Sequence, residues 1–236
     1  MVFTPYPEFS DQVVVITGGS RGIGFATARR FLERGARVGI CALDPERLAE
    51  AARALGALGE VEAVVIDVRS MEQIQRFVSQ VHRRFGQLNI VVNNAARTWV
   101  GRFAAQAVAS IDEIIEVNIK GVLYTTRAVL PILLQQKQGT IINVSSGAGL
   151  SGHPEIATYC ASKFALVGFT ESLALEVGTA GIRIYAVCPG RVATDMQVQY
   201  SGRRVGMPPE RVADAILDLA GHHPPIAPGR CLTIRG

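Results

Sequence analysis

Short runs of β-branched and other apolar residues alternate along the chain with longer segments in which apolar residues recur at three- and four-residue steps. The short runs predict buried strands, and the longer segments predict amphipathic helices. Strands are predicted at residues 12–17, 37–42, 61–66, 88–92, 140–144, 182–187 and 231–234. Helices are predicted at residues 22–34, 45–57, 71–85, 111–136, 157–177 and 208–220, with Pro131 expected to bend the end of the fourth helix.

This alternation predicts the class of fold. Strands separated by helices pair in parallel through right-handed crossovers, and strands without a polar face belong in a sheet that is covered on both sides. A chain of 236 residues suits one such domain, and no repeat, low-complexity tract or linker divides it. We therefore expect a single α/β domain over residues 1–236: a doubly wound, mostly parallel sheet of seven strands with helices on both faces.

Composition and charge exclude several classes of function. The net charge is +4, but the basic residues are scattered with no run longer than a pair, which argues against a nucleic-acid-binding surface. The four cysteines form no C-x-x-C pair, and His222 and His223 stand without other ligands, so no metal site is expected. Residues 1–10 lack the basic and apolar regions of a signal peptide, and no apolar run reaches the roughly 20 residues of a membrane helix. A soluble, cytoplasmic protein is the expectation.

A glycine-rich loop, TGGSRGIG from Thr17 to Gly24, joins the first predicted strand to the first helix. Such a loop brings backbone N–H groups to a pyrophosphate, which then lies at the positive end of the helix. The spacing resembles the T-G-x-x-x-G-x-G element of short-chain dehydrogenases/reductases, which implies a Rossmann fold that binds NAD(P). The resemblance places the cofactor half at about residues 10–145 and the catalytic and substrate half at about 146–236. The expected cofactor contacts in this loop are Gly18, Ser20, Arg21, Gly22, Ile23 and Gly24.

Three further segments extend the resemblance along the chain. Asp67 and Val68, after the third strand, are similar to the family's adenine-binding position. The segment NNAA at residues 93–96 resembles the family's N-N-A-G element beside the adenine ribose, which implies contacts from Asn93 and Ala95, although Ala96 replaces the usual glycine. After the sixth strand, the residues that resemble the segment holding the nicotinamide carboxamide are Pro189, Gly190, Val192 and Thr194.

The end of the second strand decides between NAD and NADP. An acidic residue there accepts the ribose 2′-OH of NAD and repels a 2′-phosphate, and this chain has Ala42 at that position. Arg21 resembles the basic residue that NADP-preferring members place against the 2′-phosphate. Leu43 stands where many such members carry arginine, and Asp44 could restore NAD binding, although capping the helix that opens at residue 45 explains it better. NADP(H) is the expected cofactor, and NAD(H) stays open.

Tyr159 and Lys163 form a Y-x-x-x-K motif on a predicted helix. Residues four apart lie on one helix face, so the tyrosine hydroxyl and the lysine ammonium can serve one site. A nearby cation stabilises the phenolate and is expected to lower the tyrosine pKa from its ordinary value near ~10. The lysine can also reach a ribose hydroxyl of the cofactor. By resemblance, Tyr159 is the general acid and base of the reaction.

Two polar residues complete the catalytic set that the resemblance implies. Ser145 ends the fifth strand, and its hydroxyl is expected to donate a hydrogen bond to the substrate carbonyl. Its neighbour Ser146 is better explained as a local cap. Asn118 lies within a helical apolar pattern, where asparagine is unfavourable. The resemblance gives it a purpose, because its side chain would hold a water that links Lys163 to solvent.

The resemblance implies an oxidoreductase that interconverts a ketone or 3-oxoacyl group and a secondary alcohol. An NAD-dependent alcohol, polyol or cyclic-ketone dehydrogenase is the alternative, and a non-enzymatic nucleotide sensor is the remote one. Residues 147–156 and 196–207 are expected to line an open substrate pocket, with an apolar wall drawn from Met196, Val198, Tyr200 and Met207. A homotetramer or homodimer is expected through the helices that carry Asn118 and Tyr159, whose outer residues would include Phe164, Phe169 and Leu173.

Overall fold

Seven parallel strands form one sheet in the computed structural model, which describes residues 8–235. The strands are β1 Val13–Thr17, β2 Arg37–Ala42, β3 Val61–Val65, β4 Ile90–Asn93, β5 Gly139–Val144, β6 Ile182–Pro189 and β7 Cys231–Ile234. Their order is β3-β2-β1-β4-β5-β6-β7, and every neighbouring pair is parallel. The predicted doubly wound α/β fold is confirmed, with a sheet that is wholly rather than mostly parallel.

The described residues 8–235 also form eight α-helices, most of which pack on the two faces of this sheet. They are α1 Gly22–Glu33, α2 Pro45–Gly56, α3 Met71–Phe85, α4 Val108–Ile115, α5 Gly121–Gln136, α6 Ala157–Val177, α7 Asp195–Ser201 and α8 Pro209–Ala220. Alternate side chains of β1 bury into separate cores, because successive residues of a strand point to opposite faces. Val14 and Ile16 pack with α1, α2 and α8, whereas Val13 and Val15 pack with α3, α5 and α6.

The predicted helix at residues 111–136 differs most from the structure. It begins earlier, at Val108, and a π-helical turn at Glu116–Lys120 separates α4 from α5. Helix α5 continues through Pro131 to Gln136. A π-helical turn inserts an extra residue into the helical repeat, and such turns are frequent at functional sites. Asn118 lies inside this turn, fully buried.

The order of the strands places the functional crevice. Strand β1 lies between β2 and β4, so the chain reverses its direction of travel across the sheet at that point. In open α/β sheets, ligands bind at the carboxyl ends of the strands beside such a reversal. The glycine-rich loop follows β1 at this place, and the end of β4 lies beside it.

The outer surfaces of α5 and α6 carry exposed apolar side chains, among them Leu123, Leu134 and Phe164. Leu173 is buried in the core and Phe169 packs against it, so the prediction of outward positions for these two residues is wrong. The expected dimer or tetramer stays a prediction.

Within residues 8–235, one helical stretch, Val108–Gln136, is long and apolar enough to cross a membrane by length and composition, contrary to the expectation that no segment is. A core helix passes the same test, and Val129 and Leu133 of this stretch are buried against the sheet. The expectation that a signal peptide is absent rests partly on residues 1–7, which lie outside the described residues. The cytoplasmic location also stays a prediction.

Candidate active site

A cavity of about 770 Å³ opens at the carboxyl ends of the strands, a size typical of cofactor and ligand sites. Most of the residues predicted to hold the cofactor line it: Gly18, Ser20, Arg21, Gly22, Ile23, Asp67, Val68, Ala95, Tyr159, Lys163, Pro189, Gly190, Val192 and Thr194. Gly24, Asn93 and Asn118 are not among its lining residues. The sequence therefore predicts the position of the crevice correctly, and the structure assigns these three residues other positions.

The glycine-rich loop is shaped to receive a phosphate group. Gly18 and Gly22 have positive φ angles of 67° and 55°, a region that favours glycine. A Cβ atom at Gly24 would lie 2.3 Å from the carbonyl oxygen of Gly18, so the loop and the first turn of α1 can approach only through glycine. No side chain caps the N-terminus of α1, where Arg21 is the N-cap residue. The first N–H groups of this helix are thus available for an anion, which fits the pyrophosphate of a dinucleotide.

Asn94 and Thr17 hold this loop against the end of β4. The side-chain amide of Asn94 donates hydrogen bonds to the carbonyl oxygens of Thr17 and Gly18, both at 3.0 Å. The Thr17 hydroxyl accepts hydrogen bonds from the backbone N–H groups of Asn94 and Ala95, at 3.0 and 3.1 Å. Asn94, which the sequence does not single out, is therefore the residue that fixes the loop.

Asn93 points away from the crevice and into the core. Its amide donates hydrogen bonds to Asn143 Oδ1 at 2.8 Å and to Thr126 Oγ1 at 3.2 Å. Its side chain is 1% exposed. The Asn93 side chain is therefore committed to the core, and the predicted cofactor contact from this residue stays a prediction. Neighbouring residues of a strand face opposite sides, so the crevice side belongs to the next position along the chain.

Asp67 lies at the cavity wall, half-buried, with its carboxylate already paired. Arg69 donates hydrogen bonds to both carboxylate oxygens through Nε, at 3.0 and 2.8 Å, and through its backbone N–H at 2.9 Å. The hydrogen bond from the Arg69 side chain lowers the pKa of Asp67 below its usual range. The carboxylate is thus ionised at neutral pH and lies at the cavity, where the resemblance predicts the adenine.

Strand β2 ends at Ala42, which offers no carboxylate to a ribose hydroxyl. Ala42, Leu43 and Asp44 all line the cavity. The Asp44 side chain accepts a hydrogen bond from the backbone N–H of Arg47 at 3.1 Å and is the N-cap of α2. This is the capping position favoured by the sequence. Arg21, the residue predicted to bind a 2′-phosphate, pairs with Asp195 at 2.8 Å.

Helix α6 carries Tyr159 and Lys163 on the face that meets the cavity. The Lys163 ammonium donates a hydrogen bond to the carbonyl oxygen of Val144 at 2.8 Å, and it lies 5.5 Å from the centre of the Tyr159 ring. Burial lowers the pKa of Lys163 to about 8. Burial raises the pKa of Tyr159 to about 12, although a hydrogen bond with Ser146 opposes this rise. The expectation of a lowered tyrosine pKa is therefore wrong, because desolvation of the buried hydroxyl is the largest influence on this group.

The two serines after β5 make different contacts. Asn143 contacts Thr170 on α6, and Ser145, two residues further, faces the same helix and donates a hydrogen bond to the carbonyl oxygen of Lys163 at 2.9 Å. The Cys188 thiol also lies within hydrogen-bonding reach of Ser145, whose side chain is 3% exposed. The buried hydroxyl of Ser145 is thus already hydrogen-bonded to another group of the protein.

Ser145 and Ser146 both line the cavity, and the difference between them lies in the contacts of Ser146. Its hydroxyl lies within hydrogen-bonding reach of Tyr159 and accepts a hydrogen bond from the backbone N–H of Ala148 at 3.1 Å, as the N-cap of the 3-10 turn Gly147–Gly149. The capping role expected for Ser146 is present. These contacts contradict the substrate-facing role predicted for Ser145, since only Ser146 presents its hydroxyl beside that of the tyrosine.

Asn118 is held entirely by protein atoms. Its Oδ1 accepts a hydrogen bond from the backbone N–H of Arg97 at 2.7 Å, and its amide donates to the Arg97 carbonyl and to Ser162 Oγ, both at 2.9 Å. Three of the four hydrogen-bonding positions of the side chain are therefore occupied. One acceptor position of Oδ1 is left over, and the predicted water link stays a prediction. These contacts tie the segment after β4 to helix α6, next to Tyr159 and Lys163.

The substrate side of the cavity is apolar beside Tyr159. Tyr200 of α7 and Val100 pack with Tyr159 against a small cluster of Ala148, Ile156 and Cys160. Of the expected apolar wall, Met196 and Tyr200 line the cavity. Val198 is exposed and Met207 is buried in the main core, so the prediction for these two is wrong. The helical conformation of α7 explains the position of Val198, because only one face of a helix can meet the cavity.

The comparisons with known proteins agree with this architecture. A family model described as short chain dehydrogenase matches residues 12–204. The chain is 33% identical to the 3-oxoacyl-acyl-carrier-protein reductase FabG of Thermotoga maritima over 237 residues, which cover 95% of this chain and 96% of that protein. A crystal structure of a 3-oxoacyl-acyl-carrier-protein reductase from Brucella melitensis with bound NAD is similar with a TM-score of 0.88 and 32% identity, over 98% of this chain and 92% of that one. The crystal structure of levodione reductase also gives a TM-score of 0.88, at 26% identity over 97% of both chains. On its sequence and its fold, the chain belongs to the short-chain dehydrogenase family.

Proposed function

We propose that this protein reduces a ketone or 3-oxoacyl group to a secondary alcohol with NADPH, with Tyr159 as the proton donor. One observation carries the proposal: the hydroxyls of Tyr159 and Ser146 and the Lys163 ammonium meet at one cavity that the glycine-rich loop also lines. A nucleotide sensor would need the phosphate loop alone. The paired hydroxyls and the buried ammonium serve a proton transfer, which favours an enzyme over a sensor.

The cofactor supplies the hydride, and this chain's residues manage the charge and the proton. The backbone of the glycine-rich loop and the start of α1 hold the pyrophosphate. Ser146 donates a hydrogen bond to the substrate carbonyl oxygen, where negative charge develops as the carbon is reduced. Tyr159 then gives its proton to that oxygen. Lys163 stabilises the tyrosinate that remains and holds the cofactor ribose, and Asn118 keeps the helix carrying both residues in place.

Tyr159 is protonated as the reductive direction requires, in which it acts as the acid. A tyrosine with a pKa of about 12 carries its proton at neutral pH and is ready to act as an acid. Oxidation of an alcohol would need the tyrosinate, which burial disfavours here. The named relatives are reductases of carbonyl compounds, which supports the same direction. We propose a 3-oxoacyl thioester as the leading substrate class, since two of the compared proteins carry that name.

The choice of cofactor is tested by titrating the protein with NADPH and with NADH, followed through the fluorescence of the reduced nicotinamide. NADPH is expected to bind more tightly, because Ala42 leaves no carboxylate at the end of β2 and Arg21 lies at the rim of the same cavity. Arg21→Ala should weaken NADPH by about tenfold, the scale of one hydrogen bond to a charged group, and should leave NADH nearly unchanged.

A tighter complex of the wild type with NADH would contradict this cofactor assignment and support the alternative, an NAD-dependent alcohol or cyclic-ketone dehydrogenase. Two observations support that alternative: the Brucella melitensis reductase has NAD bound, and Arg21 already forms an ion pair with Asp195. Oxidation of secondary alcohols with NAD would then be the activity to screen.

The pH profile of ketone reduction should report Lys163. Because burial depresses its pKa to about 8, the ammonium loses its proton as the pH rises through that value. Tyr159 keeps its proton throughout, so kcat/KM for reduction is expected to fall with increasing pH above about 8, by about tenfold per pH unit at the limit. Initial rates between neutral and alkaline pH measure this. A rate that rises through the same range would mean that a deprotonated group drives the reaction.

A further inference from the structure

Three arginines from three separate segments converge on one carboxylate, that of Asp195 at the start of α7. Arg21 of the glycine-rich loop donates a hydrogen bond to Asp195 Oδ2 at 2.8 Å. Arg47 of α2 approaches the same oxygen at 3.5 Å, and Arg204 binds the other oxygen. The hydrogen bond from Arg21 lowers the pKa of Asp195 below its usual range, so the carboxylate is ionised at neutral pH. All four side chains line the cavity.

The charges of this group do not cancel. The three guanidinium groups face Asp195 and one other carboxylate, that of Asp44, which lies 3.4 Å from Arg47. One positive charge is left over from three cations and two anions. A surplus of this kind attracts a phosphate group, whose charge at neutral pH is between about −1.5 and −2. The carboxylate of Asp195 occupies a donor of Arg21 that a phosphate would otherwise use.

The cluster of three arginines and Asp195 lies where the adenosine ribose of a bound dinucleotide is expected. Ala42 and Leu43, at the end of β2, line the cavity beside Asp44 and Arg47. The start of α7 lies directly on the glycine-rich loop, since a Cβ atom at Gly22 would lie 3.3 Å from Thr194 Cγ2. Asp195, in the substrate half of the chain, therefore contacts Arg21, the residue proposed to bind the 2′-phosphate of the cofactor.

We propose that Asp195 is a specificity-determining residue that competes with the cofactor's 2′-phosphate for Arg21 and Arg47. This inference rests on the proposed role of Arg21 in binding that phosphate. Asp195 holds the guanidinium groups in place while it lowers their affinity for the phosphate, because a like charge beside the site repels it. In this proposal Asp195 makes no contact with the cofactor and acts only through Arg21 and Arg47. An uncharged residue at position 195 should shift the selectivity toward NADPH.

Asp195→Asn tests this proposal, because it removes the charge and keeps the shape of the side chain. The wild type and the variant are titrated with two pairs of ligands: NADPH and NADH, and the fragments adenosine 2′,5′-bisphosphate and AMP. We expect the two ligands that carry a 2′-phosphate to bind about three- to fivefold more tightly to the variant, the scale of one partly exposed ion pair. NADH and AMP should change by less than about twofold, since they lack the competing group.

Asp214→Asn is the matched control. Asp214 forms a partly exposed ion pair with Arg30 Nε at 2.9 Å and is not among the residues that line the cavity. This substitution makes the same change in net charge and should leave all four affinities unaltered. Added salt should shrink the effect of Asp195→Asn, because ions screen charges that are exposed to solvent. In an Arg21→Ala background the effect should be largely lost.

Equal changes for all four ligands, or weaker binding of the 2′-phosphate ligands to Asp195→Asn, would overturn the inference. Asp195→Ser is measured alongside it, so that a folding defect of one variant does not decide the outcome. The proposed NADPH preference is judged separately, on the wild type alone. If the wild type prefers NADH, that proposal fails, whereas the ratio between the variant and the wild type still tests the competition at Asp195.

Discussion

Tyr159→Phe is expected to lower kcat for ketone reduction by at least about a thousandfold, within the range attributed to general acid catalysis. The substitution removes only the hydroxyl, and with it the proton that the carbonyl oxygen must receive. The ring that packs with Tyr200 and Ile156 stays in place, so the apolar wall of the pocket is kept. Because the packing of the ring is kept, a loss of turnover in this variant reports the lost proton transfer and not a loss of binding.

Cofactor affinity is the control for this variant. The phosphate-binding loop and the start of α1 lie apart from the tyrosine hydroxyl, so the dissociation constant of NADPH should change by less than about twofold. The measurement combines nicotinamide fluorescence for binding with the absorbance of reduced nicotinamide for turnover. If Tyr159→Phe binds NADPH normally and still reduces ketones at a tenth of the wild-type rate or faster, Tyr159 is not the proton donor.

The fold and the cofactor loop could be predicted because their signals are local. The apolar run that ends at Thr17 and the glycines that follow it specify a strand, a tight loop and a helix start within a dozen neighbouring residues. The lack of a Cβ atom at Gly24 is also a local requirement, since the atom it would strike belongs to Gly18 of the same loop. Chemistry of this kind can be read directly from the order of the residues.

The ion pair between Arg21 and Asp195 could not be predicted in this way, because 174 positions separate the two residues. The sequence singles out Arg21 for its place in the loop, whereas Asp195 follows Thr194 as an ordinary charged residue. A short helix that no apolar periodicity marks brings the two together. Their pairing depends on the path of the whole chain across the crevice, which sequence patterns within one segment do not contain.

The pKa of Tyr159 illustrates a second limit. The Y-x-x-x-K spacing correctly places a lysine beside the tyrosine, and that proximity by itself predicts a lowered pKa. Desolvation acts in the opposite direction and depends on how deeply the helix sits against the sheet, which the motif does not specify. In this structure burial raises the pKa of the tyrosine to about 12 and lowers that of Lys163 to about 8.

The assignment of the serine fails by one residue for a related reason. Asn93 and Ser145 both lie at the carboxyl ends of strands, and in both cases the sequence selects the residue that faces the core instead of the next one. Side chains alternate along a strand, so an error of one position exchanges the crevice for the interior. The hydrogen bonds of Asn143 with Thr170 and of Ser145 with Lys163 show which positions at the end of β5 face helix α6.

The two serines therefore form a matched pair of variants. Ser146→Ala should lower kcat by about a hundred- to a thousandfold, the usual loss when one donor to a developing oxyanion is removed. The cause is specific, because the hydroxyl of Ser146 lies beside that of Tyr159, where the carbonyl oxygen of the substrate must be placed. The substitution also removes the cap of a single 3-10 turn, at a cost of about 1 kcal/mol in the free energy of unfolding.

Ser145→Ala should have the reverse profile. It removes a buried hydrogen bond to the Lys163 carbonyl and is expected to destabilise the fold by about 1 to 2 kcal/mol, while kcat falls by less than about tenfold. Steady-state rates and denaturant unfolding of both variants measure the two quantities. If Ser145→Ala loses the activity and Ser146→Ala keeps it, the oxyanion donor is the residue that the sequence alone indicates. The substrate carbonyl would then have to approach from the side of helix α6, displacing the hydrogen bond that Ser145 makes there.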